Sequence, residues 1–317
     1  MVKKLPIGTS GLQVEPISLG GNVFGWTADE ATSFRILDAF VDAGGSMIDT
    51  ADVYSFWVPG NSGGESERVI GRWLNANPAK RDKVLIATKV GFSEGLAPDK
   101  IAEGCDSSLQ RLGIETIDVY YQHKDDDDVP LADSLGAFER LIETGKIRAI
   151  GLSQFTADRI DEAMDTARKC GFTAPSALQT WYNLLERQNF EPDLRDAALR
   201  HGLAVFPFYG LANGFLAGKY RSAGDLAKSP RGQRSADYVE GRGMGVLAAL
   251  DEIAEETGAA VATVALGWLI AQPAVTSALA SATNFNQLSE TIAAMHFVLT
   301  PDQIGRLNAA SAEVVSA

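Results

Sequence analysis

Four polar side chains stand where apolar runs end. Asp49 closes "SMID", Lys89 lies in "VLIATKV", His123 follows "IDVYYQ", and Tyr54 comes shortly after Asp49 in "DTADVY". Together they could move a proton. A free phenol has a pKa of about 10 and gives up its proton slowly at neutral pH. An ammonium beside it favours the phenolate and lowers that value. A buried ammonium would itself lose its charge without a carboxylate partner, which Asp49 could supply. An imidazole alongside could donate or accept a hydrogen bond and so orient the group that takes the proton. Any one of these residues alone reads as structural; the four in this order do not.

For that chemistry the four must meet, so the elements that carry them decide the matter. Short apolar, β-branched runs alternate with amphipathic runs of helical length. The predicted strands are 15–20, 46–51, 84–90, 117–123, 147–153, 176–182, 203–209 and 275–281. Between them "DEATSFRILDAFVDAG", "SERVIGRWLNA", "PDKIAEGCDSSLQRLG", "LADSLGAFERLIETG" and "DRIDEAMDTARKCG" space apolar residues by three and four, several closing on Gly. Eight strands with intervening helices and no Pro- or Gly-rich linker predict an α/β fold, one (β/α)8 TIM barrel domain spanning 1–317. Such barrels place their chemistry at the C-terminal ends of the strands. The polar residues there are Asp49, with Tyr54 in the following loop, then Lys89, His123, Ser153, Gln154, Gln179 and Tyr209. "KKLPIGTSGLQVE" predicts a preceding hairpin turning at Ser10-Gly11 that could plug the barrel bottom, and 219–243 is a long basic loop without a periodic pattern. Two helices, "MGVLAALDEIAEETG" and "AVATVALGWLIAQ", precede the last strand.

"DTADVY…GESERVIGRWL", "IATKVG", "IDVYYQHKDD", "IRAIGLSQF", "ALQTWYNLLER" and "FYGLANGFLAGKY" resemble, in order, the signatures of the aldo-keto reductase superfamily, over residues 3–312. The resemblance implies reduction of a carbonyl compound, or oxidation of an alcohol, by hydride exchange with a nicotinamide cofactor. By position, Asp49, Tyr54, Lys89 and His123 match the family's catalytic four. The resemblance further implies that Ser153, Gln154 and Gln179 hold the nicotinamide carboxamide and that Tyr209 stacks on its ring. Gln154 departs from the usual Asn. The pyrophosphate would meet Gly210, Leu211, Asn213 and Lys219, and the adenosine end would meet Ser281, Thr283, Gln287 and Thr291. Ser281, Thr283 and Gln287 stand where the family often carries Lys or Arg for a 2′-phosphate, which argues for NAD(H). The family itself argues for NADP(H), and Arg231 or Arg234 of the basic loop could supply the cation. Phe24, Trp26 and Trp57 would line the substrate side, with Phe56 and Phe92 beside them.

The rest of the sequence narrows the partners. A formal charge of −13 argues against nucleic acid or an anionic membrane and for a small-molecule carbonyl or alcohol substrate. No apolar run has the length of a membrane span, and no secretory signal follows the first lysines, so a cytoplasmic location is expected. Cys105 and Cys170 read as free structural thiols, and one strand-end histidine leaves no His-rich zinc site. Asp125–Asp128 read as a solvated loop, with Asp126 capping locally. "GMGVLA", from Gly243 to Ala248, fits G-x-G-x-x-A, but no strand precedes it, so a Rossmann reading is set aside. The alternative function is a cofactor-binding accessory subunit with little turnover, as some potassium-channel partners in the family are.

Overall fold

Strand pairing in one unbroken parallel order builds the scaffold. The computed structural model describes residues 2–229 and 231–312. Strands β1 (Leu5–Pro6) and β2 (Gln13–Val14) form an antiparallel hairpin. Then β3 (Ile17–Gly20), β4 (Met47–Asp49), β5 (Leu85–Val90), β6 (Ile117–Gln122), β7 (Ile147–Ser153), β8 (Ala177–Trp181) and β9 (Ala204–Phe208) lie side by side in parallel, with β10 (Ala278–Ala280) against β3. The ring closes between β9 and β10 through a Val205–Val275 bridge, where Thr276 N–H donates to the Val205 carbonyl at 2.9 Å. The fold is the (β/α)8 barrel; β7 has the predicted bounds, and the other strands are one to three residues shorter at one or both ends than the apolar runs predict.

The crossovers are helices α1 (Glu30–Asp42), α2 (Glu65–Ala76), α3 (Pro98–Leu112), α4 (Leu131–Glu143), α5 (Ala157–Cys170) and α6 (Asp193–His201). Side-chain caps start two of them: Asp29 accepts from Thr32 N–H and Thr156 from Arg159 N–H. The 219–243 segment is not structureless. It folds into 3₁₀ turns at Ala223–Lys228 and Gly232–Ser235 and the short helix α7 (Ala236–Glu240), which leads into α8 (Gly243–Thr257) and α9 (Val261–Ile270). Ser222 and Asp225 form a capping box at its start. Helices α10 (Phe285–Ala294) and α11 (Pro301–Ser311) follow β10. Among the described residues, no single helix is long and apolar enough to cross a membrane.

Alternation along the strands decides what fills the barrel. Met47, Ala87, Val119, Tyr121, Ala149, Ala177, Ala204 and Phe206 point inward and pack with Ile7, Leu12 and Val14 of the hairpin, which corks the N-terminal end. Small residues on four strands make room for the two rings. A Cβ at Gly151 would lie 2.2 Å from Tyr121, so only glycine lets that ring cross the interior. Two residues further along each strand, the same parity turns Asp49, Lys89, His123, Ser153 and Gln179 toward the open end.

The hairpin is held close by Gly8, which has φ +49° and whose missing Cβ would stand 2.4 Å from the Ser176 carbonyl oxygen. Gly8→Ala is therefore expected to cost about 1–3 kcal/mol, through strain and a displaced plug. A lower urea midpoint at unchanged slope would register it; an unchanged midpoint would mean that the cork contributes nothing.

Candidate active site

The Tyr54 loop is fixed locally before any side chain is considered. Tyr54 N–H donates to the Ala51 carbonyl at 3.2 Å, and Ser55, at φ +73°, donates its hydroxyl to the Phe24 carbonyl at 3.0 Å. This turn sends the phenol back over β4 and β5. Lys89, 1% exposed, donates from Nζ to Asp49 Oδ2 at 2.7 Å, to the Thr50 carbonyl at 2.7 Å and to Tyr54 Oη at 2.9 Å. Its three protons are thus all used. Gln179 Nε2 donates to the other Asp49 oxygen, so the carboxylate is gripped from both sides. His123 completes the group, its ring centroid 6.1 Å from that of Tyr54 and 4.9 Å from that of Phe92.

Electrostatics sort the four into distinct states. Burial works against the charge on Lys89, but Asp49 and Tyr54 outweigh it and hold the ammonium above the ordinary lysine range. Tyr54 corrects the sequence expectation. Burial pushes its phenol up to about 12, and Lys89 offsets only part of that. A lysine beside a tyrosine lowers its pKa only when solvation loss is the smaller effect. For His123, burial, then Lys89 and Lys124, push the imidazole down to about 2, so it is neutral at physiological pH. Its Nδ1 is buried and has no hydrogen-bond partner among the described residues.

These residues floor a cleft of about 430 Å³ at the C-terminal mouth. Asp49, Tyr54, Lys89, His123, Ser153, Gln154, Gln179, Tyr209, Gly210, Leu211, Asn213, Lys219, Ser281 and Gln287 all line it. Thr283 does not; its N–H and hydroxyl both donate to Gln287 Oε1, at 3.0 and 3.1 Å, steering that amide instead. On the substrate side Trp26 and Trp57 meet edge to face at 5.5 Å, with Trp57 6.2 Å from Tyr54. Phe24 is not among the lining residues. It is fully buried in the core beneath the loop, where its carbonyl anchors Ser55.

Gln154, at φ +57°, donates Nε2 to the His123 carbonyl at 3.0 Å, tying two strand ends together. Tyr209, at φ +56° and 37% exposed, is held by Asn183 Nδ2 on its carbonyl at 2.9 Å and presents a flat face to the mouth. Beyond it Lys219, Arg231 and Arg234 line the cleft, and among the described residues none of them has a carboxylate within salt-bridge distance. Burial, then mutual repulsion, lowers the pKa of Lys219, and burial also lowers that of Arg231. Arg231 stacks over the Trp26 ring at 5.4 Å, and Asn213 Oδ1 is buried without a partner among the described residues. A flat aromatic face followed by unpaired cations and amides fits an extended dinucleotide.

Asn22, which accepts from Ser281 at 2.6 Å, and Glu290 also line the cleft. Sequence reading passed over both. Applying the strand-end rule to the first strand would have found Asn22, and Glu290 lies three residues from Gln287 on one face of α10. Asp126 accepts from Leu96 N–H and Asp128 N–H, and Asp125 pairs with Arg159. His201 binds Asp161, and His296 is exposed; neither adjoins the cleft.

The aldo/keto reductase family model matches residues 16–312. The chain belongs to the aldo-keto reductase family. It is 33% identical to the uncharacterized oxidoreductase YrpG of Bacillus subtilis (strain 168), over 95% of this chain and 94% of that protein. It is 31% identical to a putative voltage-gated potassium channel subunit beta of Schizosaccharomyces pombe, over 95% and 91%. It is 29% identical to the L-glyceraldehyde 3-phosphate reductase of Escherichia coli (strain K12), over 91% and 86%. As a family member it is an oxidoreductase acting on carbonyl and alcohol groups of small molecules with a nicotinamide cofactor.

Proposed function

We propose that this protein reduces an aldehyde or ketone with Tyr54 as the proton donor. The observation that carries the reading is the contact of Tyr54 Oη with Lys89 Nζ at 2.9 Å, beside a histidine that stays neutral at physiological pH. A nicotinamide held over Tyr209 would supply hydride to the carbonyl carbon. Charge then develops on the carbonyl oxygen, and the Tyr54 proton moves to it, leaving a phenolate beside the Lys89 ammonium. An alkoxide is a stronger base than this phenolate, even with a phenol raised to about 12, so the transfer runs downhill. Asp49 keeps Lys89 charged, and Gln179 keeps Asp49 in place. His123, as a neutral imidazole, orients the carbonyl oxygen by a hydrogen bond. Holding the proton on Tyr54 suits reduction; alcohol oxidation runs the same steps backwards and needs the phenolate first.

Tyr209 offers the face for the nicotinamide ring, and Ser153 with the Gln154 and Gln179 oxygens offers the acceptors for its carboxamide. Lys219 and Arg231 suit the pyrophosphate, with Gly210, Leu211 and Asn213 along it, and Ser281, Gln287 and Thr291 face the adenosine. Three unpaired cations exceed what a pyrophosphate needs, so the cofactor is NADPH, with Arg234 left for the 2′-phosphate. Arg234→Ala is expected to weaken NADPH binding about ten- to hundredfold, the effect of one charged hydrogen bond. NADH binding should stay as it was. Fluorescence titration with both cofactors reads this, and equal losses for the two would exclude the assignment.

A second reading, a cofactor-binding accessory subunit with little turnover, is favoured by the relative named as a potassium channel subunit. One experiment separates the two: the purified protein, loaded with NADPH, is offered a panel of aldehydes and ketones. Consumption of NADPH supports the reductase, while tight cofactor binding without turnover on any carbonyl supports the accessory role.

A further inference from the structure

Beside the proton donor the cleft wall is a closed circuit of rings. Between ring centroids, Trp57 stands 6.2 Å from Tyr54 and 5.6 Å from Phe56. Phe56 stands 6.4 Å from Phe92, Phe92 4.9 Å from His123, and His123 6.1 Å from Tyr54. Neighbouring rings meet tilted or edge to face, a geometry in which one more ring can dock against a face and an edge together. Phe56 and Trp57 are exposed, an apolar area that a ligand's ring would cover. Tyr54 and His123 are needed at the carbonyl oxygen. Beyond them Phe56, Trp57 and Phe92 offer no side-chain acceptor, so the hydroxyls of a sugar would give up water there without a replacement.

A cation attends this wall. Lys124, exposed and next in sequence to His123, holds Nζ over the Phe92 ring at 5.5 Å. With Phe92 4.9 Å from His123, the ammonium lies within the two spacings together, about 10 Å, of the imidazole centre. The carboxylates that follow it are engaged elsewhere. Asp125 pairs with Arg159 at 2.6 Å, Asp126 accepts from Leu96 N–H at 2.8 Å, and Asp127 stands 3.8 Å from Arg159. Among the described residues none of them, nor any other carboxylate, comes within salt-bridge distance of Lys124. Lys219, Arg231 and Arg234 line the part of the cleft given to the cofactor, which leaves Lys124 as the free cation on the substrate side. In a chain of formal charge −13, an anionic substrate needs such a local positive group.

We propose that the substrate is an aryl aldehyde bearing an acidic group, in the simplest case a carboxylate, across the ring from the formyl carbon, and that Phe92 and Lys124 select it. The formyl oxygen lies between Tyr54 and His123, the ring packs against Phe92 and Trp57, and the acid meets the Lys124 ammonium. One benzene ring with a substituent at each end bridges the imidazole and that ammonium. An aliphatic aldehyde forgoes the ring contacts, and a neutral aryl aldehyde leaves Lys124 without a partner. Both are therefore poorer substrates than the aryl acid.

The inference rests on the reductase reading, and the test separates the two. The wild type, Lys124→Met and Phe92→Leu are assayed with saturating NADPH on 4-formylbenzoate, its methyl ester and 4-oxobutanoate, which keeps both end groups but has no ring. In Lys124→Met the ratio of kcat/KM for the acid to that for the ester is expected to fall about three- to tenfold, the size of a charged contact at a partly exposed site. In Phe92→Leu the ratio for 4-formylbenzoate over 4-oxobutanoate should fall about two- to tenfold, the size of one aromatic pair. An acid-to-ester ratio indifferent to Lys124→Met, or a ring preference indifferent to Phe92→Leu, overturns the inference and leaves Tyr54 as the donor. A readout without turnover is calorimetric titration of the NADPH-loaded protein with 4-carbamoylbenzoate and its methyl ester, whose amide stands in for the aldehyde. Tighter binding of the acid, lost in Lys124→Met, supports the ligand class even if no aldehyde is reduced, in which case the reductase reading alone fails. Equal binding of acid and ester overturns the inference.

Discussion

Tyr54→Phe is expected to lower turnover by about 10²–10⁴-fold, the range typical for loss of a positioned proton donor, while the affinity for NADPH stays within experimental error. The substitution removes one oxygen and leaves the ring, so the edge contact with Trp57 and the packing against His123 are retained. Lys89 loses one of three partners but keeps Asp49 and the Thr50 carbonyl. The fold should therefore survive, and the deficit should lie in kcat. His123 cannot take over, because an imidazole pushed down to about 2 stays neutral, and its remaining N–H is a far weaker acid than an imidazolium. Steady-state kinetics with cofactor titration on the same preparation provides the check. A mutant that turns over like the wild type would remove the phenol from the mechanism.

Lys89→Met should be worse, because it harms the fold as well as the chemistry. Asp49 and Lys89 are 2% and 1% exposed and bonded at 2.7 Å. Removing the ammonium strands a carboxylate in the barrel, which generally costs about 3–5 kcal/mol. The paired change Asp49→Asn with Lys89→Met leaves no orphan charge. Most of the stability should return, since replacing both members of a buried ion pair is close to neutral, but turnover should not. Denaturant unfolding and NADPH oxidation, measured on the wild type, the single mutant and the double mutant, separate the two roles. If the double mutant is no more stable than Lys89→Met, the pair is not what holds this part of the mouth together.

The barrel was legible because its strands declare themselves by composition and its active side chains by their place at strand ends. Asp49, Lys89, His123, Ser153 and Gln179 follow from parity alone once a barrel is assumed. What sequence could not supply was depth. Phe24 and Trp26 sit two residues apart in one loop, yet the first is fully buried and the second lines the cleft. Ser55 also holds the Phe24 carbonyl, a contact between residues far apart in the chain that sequence does not display. Depth also reversed the net effect on Tyr54, whose residue types predict a lowered pKa and whose burial raises it. The last predicted strand was too long because Thr276 and Ser277 turn their N–H groups to Val205 at the seam of the ring. The 219–243 segment has no period because it is built of short turns, although Ser222 with Asp225 spells a capping signal that could have been read. Thr283 shows the limit of carrying roles over by position: the matching residue is present, but it serves Gln287 rather than the cleft.

Among the described residues, the hairpin at the far end leaves this vessel one doorway. Ile7, Leu12 and Val14 pack into the barrel interior from below, so on the proposed mechanism the hydrogen that Tyr54 gives up would be replaced from the mouth. Product leaving and solvent entering would then share the mouth, and the proposed donor would be recharged once the product has vacated it.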